Sequence, residues 1–328
     1  MVLETNYLTL YSDVQAKEVQ WLWRPYIPIG KVTLLQGDPN CGKSTMMMNL
    51  VSELSRGGAM PDGTALGRPQ RIIYQCSEDD AEDTIKPRLE MYGADCRNVG
   101  FINEHIYGDL TIDDERLRQS IESFRPRLVV IDPLQAYVEN DSDIMSATKA
   151  RRLMRRTAIW ASMYDCAIVV IGHLGKSGSP KDLYRGLGSI DLVASARSVL
   201  HVEKETEEIR IVHHVKSSAA AKGADFRFEI RKDTGFHWLG TVKNEEVSDE
   251  PVMELPKNKH ELAVILVTKA LKDGPVESTE IKDLMSNYRI GEKTLNDVKI
   301  ALGIKPYRKM RRWYWALPDK VAKEVKHE

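Results

Sequence analysis

From about Lys31 to Pro133 the chain alternates short apolar runs with longer stretches whose apolar side chains recur every three or four positions. The runs at 32–36, 71–76, 99–102 and 128–132 have the length and β-branched content of buried strands. The stretches at 43–56, 79–91 and 113–124 read as amphipathic helices, and a longer helical pattern from about 143 to 164 leads into another apolar run at 166–172. Strands separated by helices pair in parallel, because each helix returns the chain to the edge where the last strand began. After Ser195 the period drops to two, at 198–203, 209–216 and 226–230, which suits antiparallel strands added at a sheet edge. The fold class this predicts is α/β, with a mostly parallel sheet, helices on both faces and antiparallel edge strands.

Residues 241–256 turn acidic and proline-bearing and read as a linker. Beyond it lie helical patterns at 260–272, 278–286 and 291–302, then a basic aromatic run at 305–315 that reads as a β-hairpin. Three short helices followed by a hairpin is the plan of a small winged helix-turn-helix domain. Ser278-Thr279-Glu280-Ile281 carries an N-cap signature for the second helix. The expected organisation is a large domain over 1–240 with an entry segment at 1–30, a linker over 241–256, and the winged-helix domain over 257–328.

The formal net charge of -1 over 328 residues suggests no bulk attraction to nucleic acid or membrane. That average hides an asymmetry: from Lys257 onward the balance is +6, leaving −7 for the rest. A basic tail on an acidic body hints at a polyanionic partner. Cys41, Cys76, Cys96 and Cys166 are scattered without a CxxC pair, so neither a zinc site nor a disulfide framework is indicated. With no signal peptide or spanning apolar stretch, the expectation is a cytoplasmic protein without a membrane partner.

The sharpest chemistry is Gly37-Asp38-Pro39-Asn40-Cys41-Gly42-Lys43-Ser44, a GxxxxGKS motif between a strand pattern and a helix pattern. Glycines let the backbone N–H groups converge on phosphates, and the helix N-terminus adds a positive dipole. Lys43 would bridge the outer phosphates, Ser44 would offer an oxygen to Mg²⁺, and Thr45 closes the ATP cradle. Arg127-Leu-Val-Val-Ile-Asp132 is an apolar strand ending in a carboxylate, suited to ordering the metal's water shell, although many strands end in Asp to cap a helix. Glu78 follows the strand after the motif's helix and could polarise the attacking water; the bland reading is a helix start capped by Ser77. His173 ends the 166–172 run and is either a phosphate sensor or a solvated strand end. Cys41 is either an oxidation-sensitive thiol or a small buried filler.

In order along the chain stand this motif, Cys-Ser-Glu78-Asp-Asp, Val-Val-Ile-Asp132-Pro, Ile-Gly-His173-Leu-Gly-Lys, Arg185-Gly-Leu-Gly-Ser-Ile-Asp191, Ala196-Arg197-Ser-Val-Leu and Val215-Lys216-Ser-Ser. Together with the leading segment at 21–30 they resemble the RecA-like P-loop ATPases of the RepA-like and DnaB-like hexameric helicases found in phages and mobile elements. The resemblance covers about Val19 to Ile230. It implies a homo-oligomeric, hexameric ring with ATP sites between subunits, Glu78 as the base and His173 as the sensor. It also implies a cation from the neighbour: Arg197 matches an arginine of the RepA-like pattern, and Lys216 a lysine of the DnaB-like one. The DnaB-like arginine two residues beyond that lysine is replaced here by Ser218, which favours Arg197 as the finger.

Arg88 either stacks on the adenine or is a solvated helix residue. Lys176, Lys181 and Arg185, among small residues in the loop 174–186, suit contact with single-stranded DNA. The helix Lys149-Ala-Arg-Arg-Leu-Met-Arg-Arg156 is more basic still, and its bland reading is a solvated face. In the tail, Lys293 and Lys299 on the recognition helix and Arg308, Lys309, Arg311 and Arg312 beside Trp313 and Trp315 suit duplex DNA contact, although such domains also bind proteins. The expected function is a replicative-type ATP-dependent DNA helicase, with room for a primase or initiator partner. The alternatives are a RecA- or KaiC-like remodelling ATPase that does not unwind, or an ATP-switched DNA-binding regulator or loader.

Overall fold

A computed structural model of the chain describes residues 9–138, 147–173, 190–242, 259–271, 274–288, 290–309 and 312–318. After an exposed leading segment, a short hairpin of β1 (Trp21–Trp23) and β2 (Ile27–Pro28) enters the body. Trp23 packs its ring 4.8 Å from that of Phe226, so the entry segment is pinned to the far side of the sheet.

The alternating part follows as expected: β3 (Val32–Gly37), α1 (Lys43–Arg56), β4 (Ile72–Cys76), α2 (Lys86–Met91), β5 (Val99–Gly100), α3 (Glu104–Tyr107), α4 (Glu115–Phe124), β6 (Leu128–Asp132), α5 (Ala147–Met163), β7 (Ala167–His173) and α6 (Ile190–Ser195). The period-two part forms β8 (Ser198–Lys204), β9 (Ile209–Ser217), β10 (Phe226–Arg231) and β11 (Gly235–Thr241). These build a nine-stranded sheet in the order β11-β10-β9-β8-β3-β7-β6-β4-β5. From β8 to β5 the neighbours are parallel, while β9, β10 and β11 are added antiparallel at one edge. This is the architecture of a RecA-like P-loop ATPase core.

All six positions of β3 are buried, because it lies between β7 and β8 with helices over both faces. One face packs Leu35, Tyr74, Val130 and Phe228 under α1; the other packs Leu34, Val129, Ile131 and Val170 under α4 and α5. Each fully buried aliphatic or aromatic side chain contributes about 2 kcal/mol, so the central strands hold the sheet's ends in fixed register.

Three local expectations change. The helix expected over 79–91 begins later, with a π-helical turn Ala81–Ile85 ahead of α2, because Asp80 is extended and its Oδ1 accepts from Glu82 N at 2.7 Å. Asp80, not Ser77, is therefore the cap. β5 ends after two residues. The edge strand β11 was not foreseen; glycines at 235 and 240 disguise its Phe236/Trp238 alternation.

The C-terminal segment forms α7 (Lys259–Ala270), β12 (Val276–Glu277), α8 (Ser278–Asn287), α9 (Glu292–Ala301), β13 (Tyr307–Lys309) and β14 (Arg312–Trp315). Its antiparallel sheet runs β12-β14-β13, over a separate core that includes Leu266, Ile281, Val298 and Trp315. Glu277 occupies the N-cap position of α8 without a side-chain cap bond, so Ser278 is the first helical residue. The expected linker lies largely outside the described residues. Among the described residues no helix is long and apolar enough to cross a membrane.

Candidate nucleotide site

The site grows from the end of β3. Gly37 pairs with His173 of β7 on one side and Val202 of β8 on the other. A Cβ on Gly37 would stand 2.4 Å from the Val202 carbonyl oxygen, so only glycine lets the strand end here. Asp38, Pro39 and Asn40 turn through solvent, and Gly42 takes φ 89° to start α1. A Cβ on Gly42 would meet Ile230 Cδ1 at 2.9 Å, which ties the turn to β10 as well. No side chain caps α1, and no acid stands in its first turn. Its leading N–H groups and positive dipole end are therefore presented to an anion.

Lys43 is buried at 3 % exposure and folds back on the turn. Its Nζ donates to Gly37 O at 2.9 Å and Asp38 O at 2.7 Å, with Cys41 Sγ at 3.7 Å. Burial lowers its pKa, while Cys41, Asp132 and Asp38 pull it upward. An ammonium held on its own loop's carbonyls is ready to exchange them for phosphate oxygens. Burial in turn raises the Cys41 thiol's pKa, against the opposing pull of Lys43. Ser44 and Thr45 are half-buried at the mouth of the turn.

Asp132 ends β6, two strands from β3, roughly 10 Å at ordinary strand spacing. It is 2 % exposed. In register Cys76 faces Asp132 and Tyr74 faces Val130, so Tyr74 and Asp132 lie on the α1 face. The Tyr74 hydroxyl donates to Asp132 Oδ2 at 2.7 Å. Burial, then the Asp132 carboxylate, pushes the Tyr74 pKa well up, so the phenol stays a donor. Sequence reasoning missed Tyr74; its one signal is a tyrosine in an apolar strand, whose hydroxyl needs a partner once buried.

Glu78 lies exposed between β4 and the Asp80 cap, on the lip of a cavity of about 700 Å³ that Tyr74, Cys76, Asp79, Ile85 and Glu104 also line. Arg88 pairs its Nη1 with Asp79 Oδ2 at 2.9 Å, which braces this turn. Behind it, Gln75 Nε2 and the Tyr137 hydroxyl both donate to Glu104 Oε2, at 3.0 and 3.2 Å. The backbone of His173 lies opposite Gly37, and Lys176, Lys181 and Arg185 fall outside the described residues.

Arg197 and Lys216 stand elsewhere. Arg197 precedes β8 and donates its N–H to Val32 O, at the start of β3 rather than its end. Lys216 pairs with Val199 across β8 and β9, and its Nζ donates to Val193 O and Ala194 O at the end of α6. Burial, then the nearby Arg197 charge, lowers the Lys216 pKa. Arg197 sits about 16 Å along the strands from its own Gly37, and the Lys216 backbone, level with Leu34, about 10 Å. Within one chain they do not join the site.

The C-terminal cations divide. Lys293 and Arg308 are exposed. Lys299 lies over the Trp315 ring at 5.8 Å, and Arg312 Nη1 donates to Glu277 Oε2 at 2.8 Å. Both therefore have partners within their own fold, the Arg312 side chain remains largely exposed, and Trp315 belongs to the core. The Lys309 side chain and all of Arg311 lie outside the described residues.

Among the described residues no three His, Cys, Asp or Glu side chains could hold a metal by themselves. The donors that fit Mg²⁺ are the Ser44 hydroxyl and the buried Asp132 carboxylate, working with phosphate oxygens.

A family model described as an AAA domain, AAA_25, matches residues 8–179, just over half of the chain. The curated proteins similar to this chain include the DNA repair protein RadA of Halalkalibacterium halodurans, 25% identical over 295 residues, which covers 89% of this chain and 56% of that protein. RadA of Mycobacterium tuberculosis is 27% identical over 195 residues (58% and 36%), and RadA of Bacillus subtilis 25% over 207 (62% and 40%). The chain thus spans about half the length of these relatives or less.

Proposed function

The chain belongs to the AAA_25 family of AAA domains, and from that premise we propose that it hydrolyses Mg·ATP between subunits of a homo-oligomer, to move along single-stranded DNA. The observation that carries this reading is the division of charge between the sheet's two ends. Lys43, Ser44 and Asp132 gather where β3 and β6 finish, while Arg197 and Lys216 gather where β3 starts. A site so divided is completed by a neighbour, as in ring-forming helicases.

Lys43 and the α1 amides bind the phosphates. Ser44 and Asp132 would hold Mg²⁺, which when bound neutralises charge on the phosphate oxygens. Tyr74 fixes the Asp132 carboxylate, and Glu78 takes the proton of the attacking water. Arg197 of the neighbouring subunit stabilises the transferring phosphoryl group, and His173 passes its state to the loop carrying Lys176, Lys181 and Arg185. The winged-helix domain at the C-terminus contributes Lys293 and Arg308 to duplex contact.

The similarity to the DNA repair protein RadA favours a second reading: a DNA-remodelling ATPase that does not unwind. Phosphate release with and without single-stranded DNA tests the shared part. Displacement of a labelled strand from a forked duplex separates the readings. A strict monomer with ATP and DNA present would remove both, because no neighbour would complete the site.

A further inference from the structure

Among the described residues, α5 carries a strongly cationic surface that the nucleotide site does not use. Its 17 residues, ATKARRLMRRTAIWASM, contain five Lys or Arg and no carboxylate, in a chain whose net charge is -1. Lys149, Arg151, Arg152, Arg155 and Arg156 are all exposed. At 100° per residue they cover an arc of roughly 160°. The opposite arc, with Ala150, Met154 and Ala161, is buried in the core. One end of the cationic arc is stiffened: Arg156 pairs with Asp113 at 3.3 Å and lies over the Trp160 ring at 5.5 Å.

The topology gives this face a location. β6 ends where the phosphate turn lies, and β7 starts at the opposite edge, parallel to it. The helix joining them therefore begins at the nucleotide edge, and its cationic turns are the ones nearest to it. The main apolar arc is occupied by the protein's own core, and the two exposed apolar side chains on the cationic side, Ile159 and Met163, lie in the last turns of the helix, too few to hold it in a lipid layer. Cations at 151/152 and 155/156 repeat once per helical turn, about 5.4 Å, a spacing that suits successive phosphates of an extended strand.

We infer that the exposed cationic face of α5 is a binding surface for the phosphates of single-stranded DNA. The inference rests on the DNA reading above and adds to it a surface distinct from the 174–186 loop and the C-terminal cations.

The test uses the full chain, a fluorescein-labelled oligothymidylate, and the triple variant Arg151→Gln/Arg152→Gln/Arg155→Gln. The expected result is binding at least tenfold weaker, with DNA-free ATP hydrolysis unchanged. The slope of log affinity against log salt should fall by roughly two, at about 0.7 per lost phosphate contact on a single strand. The triple Lys variant, which keeps the charge, should restore most of the binding and controls for misfolding. Unchanged affinity and slope in the Gln variant overturn the inference while leaving the DNA reading intact. Loss of binding to labelled polyglutamate with DNA binding spared overturns it in favour of an acidic protein partner. A wild-type chain that hydrolyses ATP but does not bind the oligonucleotide overturns the DNA reading itself, and this inference with it.

Discussion

Where β3 and β6 end, a buried ammonium and a buried carboxylate lie within electrostatic reach of each other, each held by neutral donors or acceptors of its own chain. Where β3 and β8 begin, Arg197 is exposed and Lys216 spans the end of a short helix, and Lys216 feels Arg197 as a repelling neighbour. The first edge is organised to receive an anion, with an uncapped helix start and a buried ammonium. The second edge offers two cations, and Lys216 is held there by backbone carbonyls. The parallel strands keep the two apart within one chain. What the contrast teaches is that the two edges carry different chemistry, and the proposed sharing of one site between subunits rests on that division.

The largest expected effect breaks or keeps that contrast directly. Arg197→Ala should reduce ATP hydrolysis about 10³-fold or more if Arg197 acts across a subunit boundary. Mixing it with Lys43→Ala subunits should recover part of the phosphate release, because some interfaces then carry both intact halves. Absence of recovery, with oligomers formed, would return Arg197 to a surface role. Next in size, Glu78→Gln should lower turnover about 10²- to 10⁴-fold with nucleotide binding preserved. Turnover near the wild-type rate would remove Glu78 from the base role.

A smaller change probes how the first edge is held. Tyr74→Phe removes only the hydroxyl, and a hydrogen bond to a charged group contributes about 1.5–3 kcal/mol. The Mg²⁺ concentration for half-maximal hydrolysis should rise about tenfold, while Mg²⁺-free nucleotide binding stays the same. A purely packing role for Tyr74 would leave the Mg²⁺ dependence where it was.

The smallest effect concerns the scaffold of the second edge. His214 pairs with Leu200 across β8 and β9. Its Nδ1 accepts from Gly223 N at 2.8 Å and its Nε2 lies 3.2 Å from Ser198 Oγ, whose own proton goes to Tyr26 O. The ring is therefore neutral, and burial lowers its pKa to about 4. The unfolded chain takes up this proton near pH 6.5, so the contribution is complete above that pH and declines as pH falls toward 4. Between pH 7 and pH 5 the wild type should lose about 2 kcal/mol from this group. In His214→Gln, urea midpoints should depend less on pH over that interval, and an equal slope in both proteins would argue against the neutral ring.

Much of the first edge was legible in the residues. The GxxxxGKS turn requires strand before and helix after, and both are present because Val32–Gly37 is apolar throughout and α1 has an apolar face. Asp132 was legible for a similar reason, as the one charge on an apolar run. Tyr74 was not, since nothing in one sequence says that strand 72–76 lies beside strand 128–132 with residues 76 and 132 in register. The start of α2 was also misjudged. Three consecutive acids offer several caps, and the choice of Asp80 depends on how Arg88 draws Asp79 aside.

The C-terminal cations show the same limit from the other side. Composition pointed to Lys299 and Arg312 as contact residues, and only the structure shows that one also lies over Trp315 and the other also pairs with Glu277 of a neighbouring strand. The basic run on α5 read as a plain solvated face, and only its place at the nucleotide edge makes it a candidate surface.

By itself, then, the sequence determined the elements, the parallel and antiparallel halves of the sheet, and the chemistry of the phosphate turn, because these follow from local periodicity and from residues adjacent in the chain. The tertiary structure alone decided which strand lies beside which, that Tyr74 holds Asp132, that Arg197 stands a full strand length from the phosphate turn, and that the Lys216 amine is turned to the end of α6. Those are facts of register between distant segments, set by how two apolar faces pack against one sheet, and no local pattern encodes them.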